Sequence, residues 1–188
     1  MSTEKAAPGP LRLVQEFVNS ADLERGEDQL ETPSGLADWL AARKLVPAGT
    51  KVSTAEHRRA VEVREGLRAL LGTHNGGDPD PRALERLERA AGRAELRASF
   101  PAGGQPRLTP SCDGVSGALA QLLVIVTTSA ADGSWSRLKA CADPGCRWAF
   151  YDHSKNRSGR WCAMAVCGNQ QKARSYRARR REALPGPV

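Results

Sequence analysis

The sequence lacks a hydrophobic run long enough to cross a lipid bilayer. The longest apolar stretch, residues 118–126, is about half as long as a transmembrane helix and is typical of a buried element. The first residues, MSTEKAAPGP, contain no apolar segment of the kind found in signal peptides. Together with a charged content of 26%, this excludes an integral membrane protein. We therefore expect a cytoplasmic, bacterial-type protein without a membrane partner.

The sequence also lacks the common catalytic motifs. It has no glycine-rich phosphate loop, no HExxH pair and no constellation of paired carboxylates. An isolated cysteine, Cys112, would need His57 or His74 as its base, and no motif connects these residues. Because a lone cysteine of this kind is usually incidental, we expect that the protein is not an enzyme.

Acidic residues are scarce in the C-terminal third of the chain. Residues 133–188 contain 12 Lys and Arg against 3 Asp and Glu, whereas residues 1–132 contain 16 against 18. Between Lys155 and Arg181 there are nine basic residues and no acidic one. This asymmetry predicts a polyanion-binding module attached to a nearly neutral domain, and a solvated basic tail is the alternative interpretation.

Hydrophobic periodicity and capping residues predict a mostly helical N-terminal region. Thr32 followed by Pro33 opens one helix, and Ser53 with Glu56 has the spacing of a capping box. The apolar residues of segment 11–19 favour a helix over a short strand. Further elements are predicted as helices from Asp80, over 116–128 and over 135–140, and as a small hairpin over 95–109.

Four of the five cysteines form two Cys-x4-Cys pairs, Cys141 with Cys146 and Cys162 with Cys167, separated by fifteen residues. Because disulfides are rare in the cytosol, cysteines clustered in this way indicate a metal. Two such pairs suit tetrahedral Zn²⁺, and four thiolates leave no open coordination position, so the ion would be structural. The alternatives are His153 in place of one thiolate, or an iron–sulfur cluster.

The residues between and after the cysteines predict a treble-clef arrangement. Residues 147–151 alternate like a strand, residues 152–159 are rich in turn-forming residues, and residues 160–161 return. Cys162 and Cys167 then stand at the start of a basic helix. The metal-bound segment would thus consist of a knuckle, a hairpin and a helix.

This segment resembles the CGNR zinc finger family. The resemblance is carried by CAMAVCGN at residues 162–169, with an Arg-Trp pair before it and a basic helix after it. It implies zinc on the four clustered cysteines and a DNA-binding role. The residue after Asn169 is Gln170, where the family pattern has arginine. One charged contact with DNA would therefore be missing in this chain.

Three upstream segments resemble the ABATE domain, which precedes this finger in stress-induced transcription regulators. They are FVNS at 17–20, LADWL at 36–40 and REGLR at 64–68. Residue patterns and resemblance together predict an α+β protein with a predominantly helical N-terminal domain that includes a small β-hairpin. A treble-clef-like zinc finger, made of a β-hairpin and a helix, would follow. The expected divisions are a disordered leader 1–9, an ABATE-like sensor or dimerisation domain 10–133, a CGNR-type finger 134–182 and a tail 183–188.

The basic residues of the finger are the candidate DNA contacts. Lysine and arginine neutralise phosphates and release counterions, which gives affinity without sequence preference. Amides and arginine also read bases in the major groove, for which Asn169, Gln170, Gln171 and Arg174 are candidates. The predicted DNA-binding residues are Lys155, Arg157, Arg160, Asn169, Gln170, Lys172, Arg174, Arg177, Arg179, Arg180 and Arg181. RNA binding and a protein–protein adaptor role are the alternative functions.

A finger alone would not need residues 10–133, which indicates that this domain senses an unidentified small molecule or forms a homodimer. Asn19, Trp39 and Arg64 lie in the ABATE-like motifs and are the candidate pocket residues. Local roles are the alternative: Asn19 capping a turn, Trp39 in the core and Arg64 paired with a glutamate. The sequence therefore predicts a zinc-dependent, double-stranded-DNA-binding transcription regulator of the bacterial nucleoid.

Overall fold

The structure, a computed structural model, describes residues 5–182, with the side chains of the last helix up to Arg177 except Ser175. The helices are α1 (Leu11–Val18), α2 (Pro33–Ala42), α3 (Thr54–Thr73), α4 (Pro81–Ala91), α5 (Gly114–Ala131) and α6 (Asn169–Glu182). The strands are β1 (Ala21–Asp22), β2 (Glu27–Asp28), β3 (Leu96–Ser99), β4 (Arg107–Pro110), β5 (Leu138–Ala140) and β6 (Ala149–Tyr151). Consecutive strands pair in antiparallel hairpins, and the predicted α+β class is confirmed.

Local capping fixes where α2 and α3 begin. The Thr32 hydroxyl accepts a hydrogen bond from the backbone N–H of Gly35 at 3.0 Å. At the start of α3, the Ser53 hydroxyl accepts from the Glu56 N–H at 3.2 Å, while the Glu56 carboxylate accepts from the Ser53 N–H at 2.9 Å. Both predicted caps are confirmed, because each depends only on residues within one turn of the chain.

The predicted hairpin at 95–109 is also present. β3 pairs with β4 in a register that places Leu96 opposite Pro110 and Ala98 opposite Leu108. A second hairpin, β1 with β2, was not predicted, because two residues per strand are too few to show an alternating pattern. Both hairpins belong to the N-terminal part of the chain.

The helix α5 is long and apolar enough to cross a membrane by length and composition alone. Half of it is buried inside the protein. Its buried residues, among them Leu119, Leu122 and Ile125, join the main hydrophobic core. This packing agrees with the predicted buried element.

One hydrophobic core extends across both parts of the chain. It contains Phe17 of α1, Leu40 of α2, Leu67 of α3 and Leu119 of α5. The strands next to the cysteines enter the same core through Leu138, Ala140, Ala149 and Tyr151. The C-terminal module is therefore packed into the N-terminal domain.

The hairpin of the finger differs from the predicted one. Residues 135–140, predicted as a short helix, form a 3₁₀ turn (Trp135–Arg137) followed by strand β5. β5 pairs with β6, so Leu138 lies opposite Tyr151, and residues 160–161 are not the returning strand. Two physical reasons apply: three residues are too few to show a strand pattern, and all three residues of β5 are buried, so Lys139 does not mark a solvent-facing side.

The described part of the leader is packed against the finger rather than free. The Lys5 ammonium donates to the Trp161 carbonyl and lies 4.7 Å from the centre of the Phe150 ring. The Ala6 carbonyl is 3.0 Å from Nε2 of His153. Lys5 and Ala6 are therefore held by residues that are distant in sequence, and the leader 1–9 as a separate division stays a prediction.

Candidate metal centre and nucleic-acid interface

The four clustered cysteines come from two segments that the fold brings together. Cys141 directly follows β5, and Cys146 lies in the turn that leads to β6. A backbone hydrogen bond from the Cys141 N–H to the Trp148 carbonyl, 2.9 Å long, closes this first knuckle. Cys162 lies two residues before a π-helical turn (Met164–Gly168) that contains Cys167 and leads into α6. The metal centre thus joins the β5–β6 hairpin to the basic helix.

The sulfur atoms are arranged as a tetrahedral metal site requires. All four lie within 4.8 Å of one another, and Cys162 Sγ is 3.6 Å from both Cys146 Sγ and Cys167 Sγ. Bonds of about 2.3 Å to a tetrahedral Zn²⁺ would place sulfurs about 3.8 Å apart, whereas a disulfide needs about 2.05 Å. The cysteines fit zinc, and the predicted structural zinc site is confirmed.

The four thiols are close enough to shift one another's pKa values. Hydrogen bonds from the thiols of Cys146 and Cys162, and then from the backbone of Cys162 and Asp143, lower the pKa of Cys141. Hydrogen bonding to Cys141 raises the pKa of Cys146, and burial raises the pKa of Cys167. Metal binding requires deprotonated thiolates, so a divalent cation would displace the thiol protons of the cluster.

A hydrophobic shell surrounds the sulfurs. Trp148 and Trp161 pack against Cys141, Cys146 and Cys167, which are all buried. Four sulfurs fill a tetrahedral shell and leave no position for a substrate, so the ion is structural. His153 does not compete for the site, because its ring is engaged with the Ala6 carbonyl and the Tyr151 ring.

A carboxylate in the first knuckle holds the basic helix. Asp143 is buried, and its Oδ1 accepts hydrogen bonds from the Gly145 N–H and from Nη1 of Arg174, each 3.1 Å long. The Arg174 side chain remains about half exposed, at 52%. Arg174, a predicted base-reading residue, therefore also ties α6 to the metal centre.

A buried ion pair, which sequence reasoning missed, organises the turn between β6 and Cys162. The Lys139 ammonium donates to the Asp152 carboxylate at 2.8 Å, to the Arg157 carbonyl at 2.5 Å and to the Gly159 carbonyl at 3.1 Å. Asp152 also accepts from the hydroxyl of Ser154 at 2.7 Å. The only local signal was the Asp-x-Ser sequence, which is typical of a turn.

The predicted cations of this turn lie at the surface. Lys155, Arg157 and Arg160 are exposed. Arg157 donates to the Ser136 hydroxyl at 3.1 Å, and the Arg160 guanidinium lies 5.9 Å from the centre of the Trp161 ring. All three are accessible to a polyanion.

The predicted contacts on α6 are likewise exposed as far as the helix is described. Asn169, Gln170, Lys172, Arg174 and Arg177 are exposed. Asn169 donates from its amide to the Ala165 carbonyl at 3.1 Å, so it also closes the π-helical turn. The side chains of the three remaining predicted contacts lie outside the described residues: Arg179, Arg180 and Arg181.

The three candidate pocket residues have separate partners. The Asn19 amide exchanges two hydrogen bonds with the backbone of Ala149, at 2.8 and 2.7 Å. Arg64 pairs through both terminal nitrogens with the Asp28 carboxylate, at 2.6 and 2.8 Å. Trp39 packs in the core, but its Nε1 is buried and has no hydrogen-bond partner among the described residues. Ligand binding by these residues stays a prediction.

Two cavities lie instead where α3 meets the finger. One has a volume of about 420 Å³ and the other about 320 Å³, and both are lined by Asn75, Gly76 and Arg160. None of the three candidate pocket residues lines either cavity.

Both histidines considered as bases contact backbone carbonyls. His57 Nε2 is 2.7 Å from the Leu30 carbonyl, and His74 Nδ1 is 2.8 Å from the Leu138 carbonyl. Cys112 is partly exposed in the segment between β4 and α5. The expectation that the protein is not an enzyme stays a prediction.

Two family models match the chain in the order that the sequence predicted. The ABATE model, which carries the description "Putative stress-induced transcription regulator", matches residues 11–133. The CGNR zinc finger model matches residues 137–180 and includes all four clustered cysteines. No curated protein matches the chain. The first match covers more than half of the sequence, and the predicted resemblance is confirmed.

Proposed function

We propose that this chain, which belongs to the ABATE family and carries a CGNR zinc finger after its ABATE domain, is a DNA-binding transcription regulator. The finger binds double-stranded DNA, and the ABATE domain controls that binding through a small-molecule ligand or through a second copy of the chain. In this proposal the protein is not an enzyme, and it acts in the cytoplasm on the nucleoid.

The observation that carries this proposal is the exposed basic face of a helix that begins at the metal centre. α6 starts at Asn169, two residues after Cys167. Gln170, Arg174 and Arg177 follow at spacings of four and three residues, so they lie on one face of the helix. They span about 10 Å along the helix axis, which suits contacts with successive phosphates or base edges.

The turn before Cys162 supplies further cations to the same finger. Lys155, Arg157 and Arg160 are exposed, and Arg160 is two residues from a metal ligand. Because the ion binds cysteines next to both groups, the turn and α6 keep a fixed relative orientation. A rigid cationic surface loses little conformational freedom when it binds a polyanion.

The arrangement of the aromatic residues favours duplex DNA over single-stranded RNA. Sequence-specific RNA binding usually requires exposed aromatic rings that stack on bases. Phe150 and Tyr151 are instead buried, with 1% and 7% of their surface exposed. Tyr176 is 60% exposed, but its place on α6 equally suits a hydrogen bond to a phosphate.

Two features support control by the ABATE domain. The strands of the finger share the core of that domain, so a change in its packing would reach the finger directly. The buried Nε1 of Trp39 has no partner among the described residues, and a buried donor of this kind is stabilised when a ligand or water accepts its hydrogen bond.

Fluorescence anisotropy with a labelled random-sequence duplex tests DNA binding. Six exposed cations are available in the described part of the finger: Lys155, Arg157, Arg160, Lys172, Arg174 and Arg177. If all six contact phosphates, the logarithm of the binding constant should fall with the logarithm of salt concentration with a slope near −5.

Matched charge-removing variants connect this slope to the finger. Arg177→Gln should weaken binding and reduce the magnitude of the slope by about 1, because one phosphate contact is lost. Arg82→Gln removes an equally exposed arginine from α4 and should leave both quantities unchanged. Equal effects of the two variants would contradict binding through α6.

Zinc removal and sequence selection complete the test. Chelation should abolish duplex binding, since α6 loses its anchor. Selection from a random duplex library then separates sequence-specific from non-specific binding. Salt-insensitive or absent DNA binding would favour a protein–protein adaptor, and preference for single-stranded RNA would favour an RNA-binding protein.

A further inference from the structure

A side chain of the N-terminal domain bridges the two segments that carry the metal ligands. Asn75 lies in the turn after α3, and its amide nitrogen donates to the Ala140 carbonyl and to the Arg160 carbonyl, both at 2.8 Å. Ala140 directly precedes Cys141, and Arg160 lies two residues before Cys162. One amide group therefore uses both of its N–H bonds to join the two cysteine pairs.

A backbone hydrogen bond also joins the two segments that carry the cysteines. The Ala142 N–H of the first segment donates to the Arg160 carbonyl of the second at 3.0 Å, so this oxygen accepts from the first segment and from Asn75. A shift of either segment would thus change the distance between the metal ligands Cys141 and Cys162.

The surroundings of Asn75 offer little to replace it. The cavities of about 420 and 320 Å³ are both lined by Asn75 and Arg160, so open space borders the bridge. The neighbouring His74 contacts the Leu138 carbonyl at 2.8 Å, which lies in the first segment only. Asn75 is therefore the contact of this turn that spans both segments.

We propose that Asn75 is a positioning residue of the zinc site, through which the N-terminal domain presets the separation of the two cysteine pairs. Outer groups that orient metal ligands commonly contribute 10- to 100-fold to metal affinity. The coupling is reciprocal, because a ligand that binds the ordered site must also stabilise whatever orders it. Zinc occupancy therefore also orders the turn after α3.

Zinc competition against a chromophoric chelator tests the proposal with the full-length chain. Asn75→Ala should raise the zinc dissociation constant about 10- to 100-fold. Asn75→Asp keeps the size of the side chain but replaces the donor with a carboxylate that faces two carbonyls. This variant should lose at least as much affinity.

Asn19→Ala is the matched control. Asn19 also joins the N-terminal domain to the finger, but both of its hydrogen bonds go to Ala149, within one segment. This variant should lower the melting temperature while leaving the zinc dissociation constant within about twofold of the wild-type value, well below the outer-shell effect. Equal losses of zinc affinity in the Asn19 and Asn75 variants would reduce Asn75 to a general docking contact and overturn the proposal.

Hydrogen–deuterium exchange of the wild-type protein provides a test that does not require a variant to fold. Zinc removal should increase deuterium uptake in residues 73–78, the turn that carries Asn75. The turn at residues 92–95, which is remote from the cysteines in sequence, should show no comparable increase. Unchanged uptake at 73–78 when the finger itself becomes unprotected would overturn the proposal.

Discussion

The buried Lys139–Asp152 pair should be a main stabilising contact of the finger. Both side chains are about 95% buried. The ammonium group has three hydrogen-bond acceptors, Asp152, Arg157 and Gly159, which match its three N–H donors. The perturbation that isolates this contact is Lys139→Met, since it keeps the length of the side chain and removes its charge.

The expected loss in the free energy of unfolding follows from the buried groups that lose their partner in Lys139→Met. Without the ammonium group, Asp152 keeps a buried negative charge and two backbone carbonyls lose their donor. Breaking a buried ion pair from one side costs about 3–5 kcal/mol, against a total stability of about 5–15 kcal/mol for an ordinary domain. We therefore expect Lys139→Met to lower the free energy of unfolding by about 3–5 kcal/mol.

The pair also predicts a pH dependence. Burial alone would raise the pKa of Asp152, but hydrogen bonds from Lys139, Ser154 and the Gly159 N–H outweigh it and lower the pKa below the ordinary value of 3.8. Because the pKa is lower in the folded state, the contribution of Asp152 is complete above about pH 5 and is lost as the pH falls further. Acid also displaces zinc from thiolates. The quantity to compare at each pH is therefore the difference in the free energy of unfolding between wild type and Asp152→Asn.

Urea denaturation of the zinc-loaded protein, followed by circular dichroism, measures these values. Lys155→Met is the control, because Lys155 is exposed in the same turn and should change the stability by less than about 0.5 kcal/mol. In the double variant Lys139→Met/Asp152→Asn the loss should be smaller than the sum of the single losses. A loss of less than about 1 kcal/mol for Lys139→Met would contradict a buried, stabilising pair, because exposed ion pairs contribute losses of that size.

Three further predictions concern other parts of the fold. Gly66→Ala should destabilise the protein by about 1–3 kcal/mol, because a Cβ at Gly66 would overlap with Leu87 of α4. Gly72→Ala has open space at its Cβ and should be neutral or stabilising by up to about 1 kcal/mol. Urea denaturation of both variants measures these changes. Ser53→Ala should cost about 1 kcal/mol through loss of the capping box with Glu56, measured in the same way. Zinc removal by EDTA should lower the melting temperature, since the finger strands share the main core, and an unchanged melting curve would contradict the shared core.

The metal site could be predicted from the sequence because its information is local. Two cysteine pairs of fixed spacing define a four-sulfur site whatever the rest of the chain does, and the sulfurs of Cys141 and Cys167 do meet. The caps at Thr32 and Ser53 were predictable for the same reason, because each involves residues three positions apart. Features that depend on residues close together in sequence, such as helix caps and paired cysteines, could therefore be predicted from the sequence.

The partner of strand β6 could not be predicted in this way. The run Leu138-Lys139-Ala140 is too short for its alternation to distinguish a strand from a helix, and all three residues are buried. The ammonium group of Lys139 is buried only because Asp152 lies thirteen residues further along the chain. Contacts with residues distant in sequence therefore determine that residues 138–140 form a strand and pair with β6.

The contacts between the two parts of the chain could not be predicted from the sequence either. Arg68 is completely buried, and its guanidinium donates to the carbonyls of Val18 and Arg147, at 2.6 and 3.2 Å. In the sequence it belongs to an ordinary charged helix, and nothing in helical periodicity indicates that an arginine points inward. Hydrogen bonds from a side chain to backbone groups distant in sequence do not change the hydrophobic periodicity, so the sequence pattern does not reveal them.

These contacts mean that the zinc finger is not an independent module in this protein. Its strands place Leu138 and Tyr151 in the core of the N-terminal domain, and Asn19 pairs with the backbone of β6 as a neighbouring strand would. A finger separated from that domain would expose apolar surface and leave backbone groups unpaired. The orientation of α6 is therefore set by zinc and by the N-terminal domain together, so a change in the packing of that domain would reach the basic helix directly.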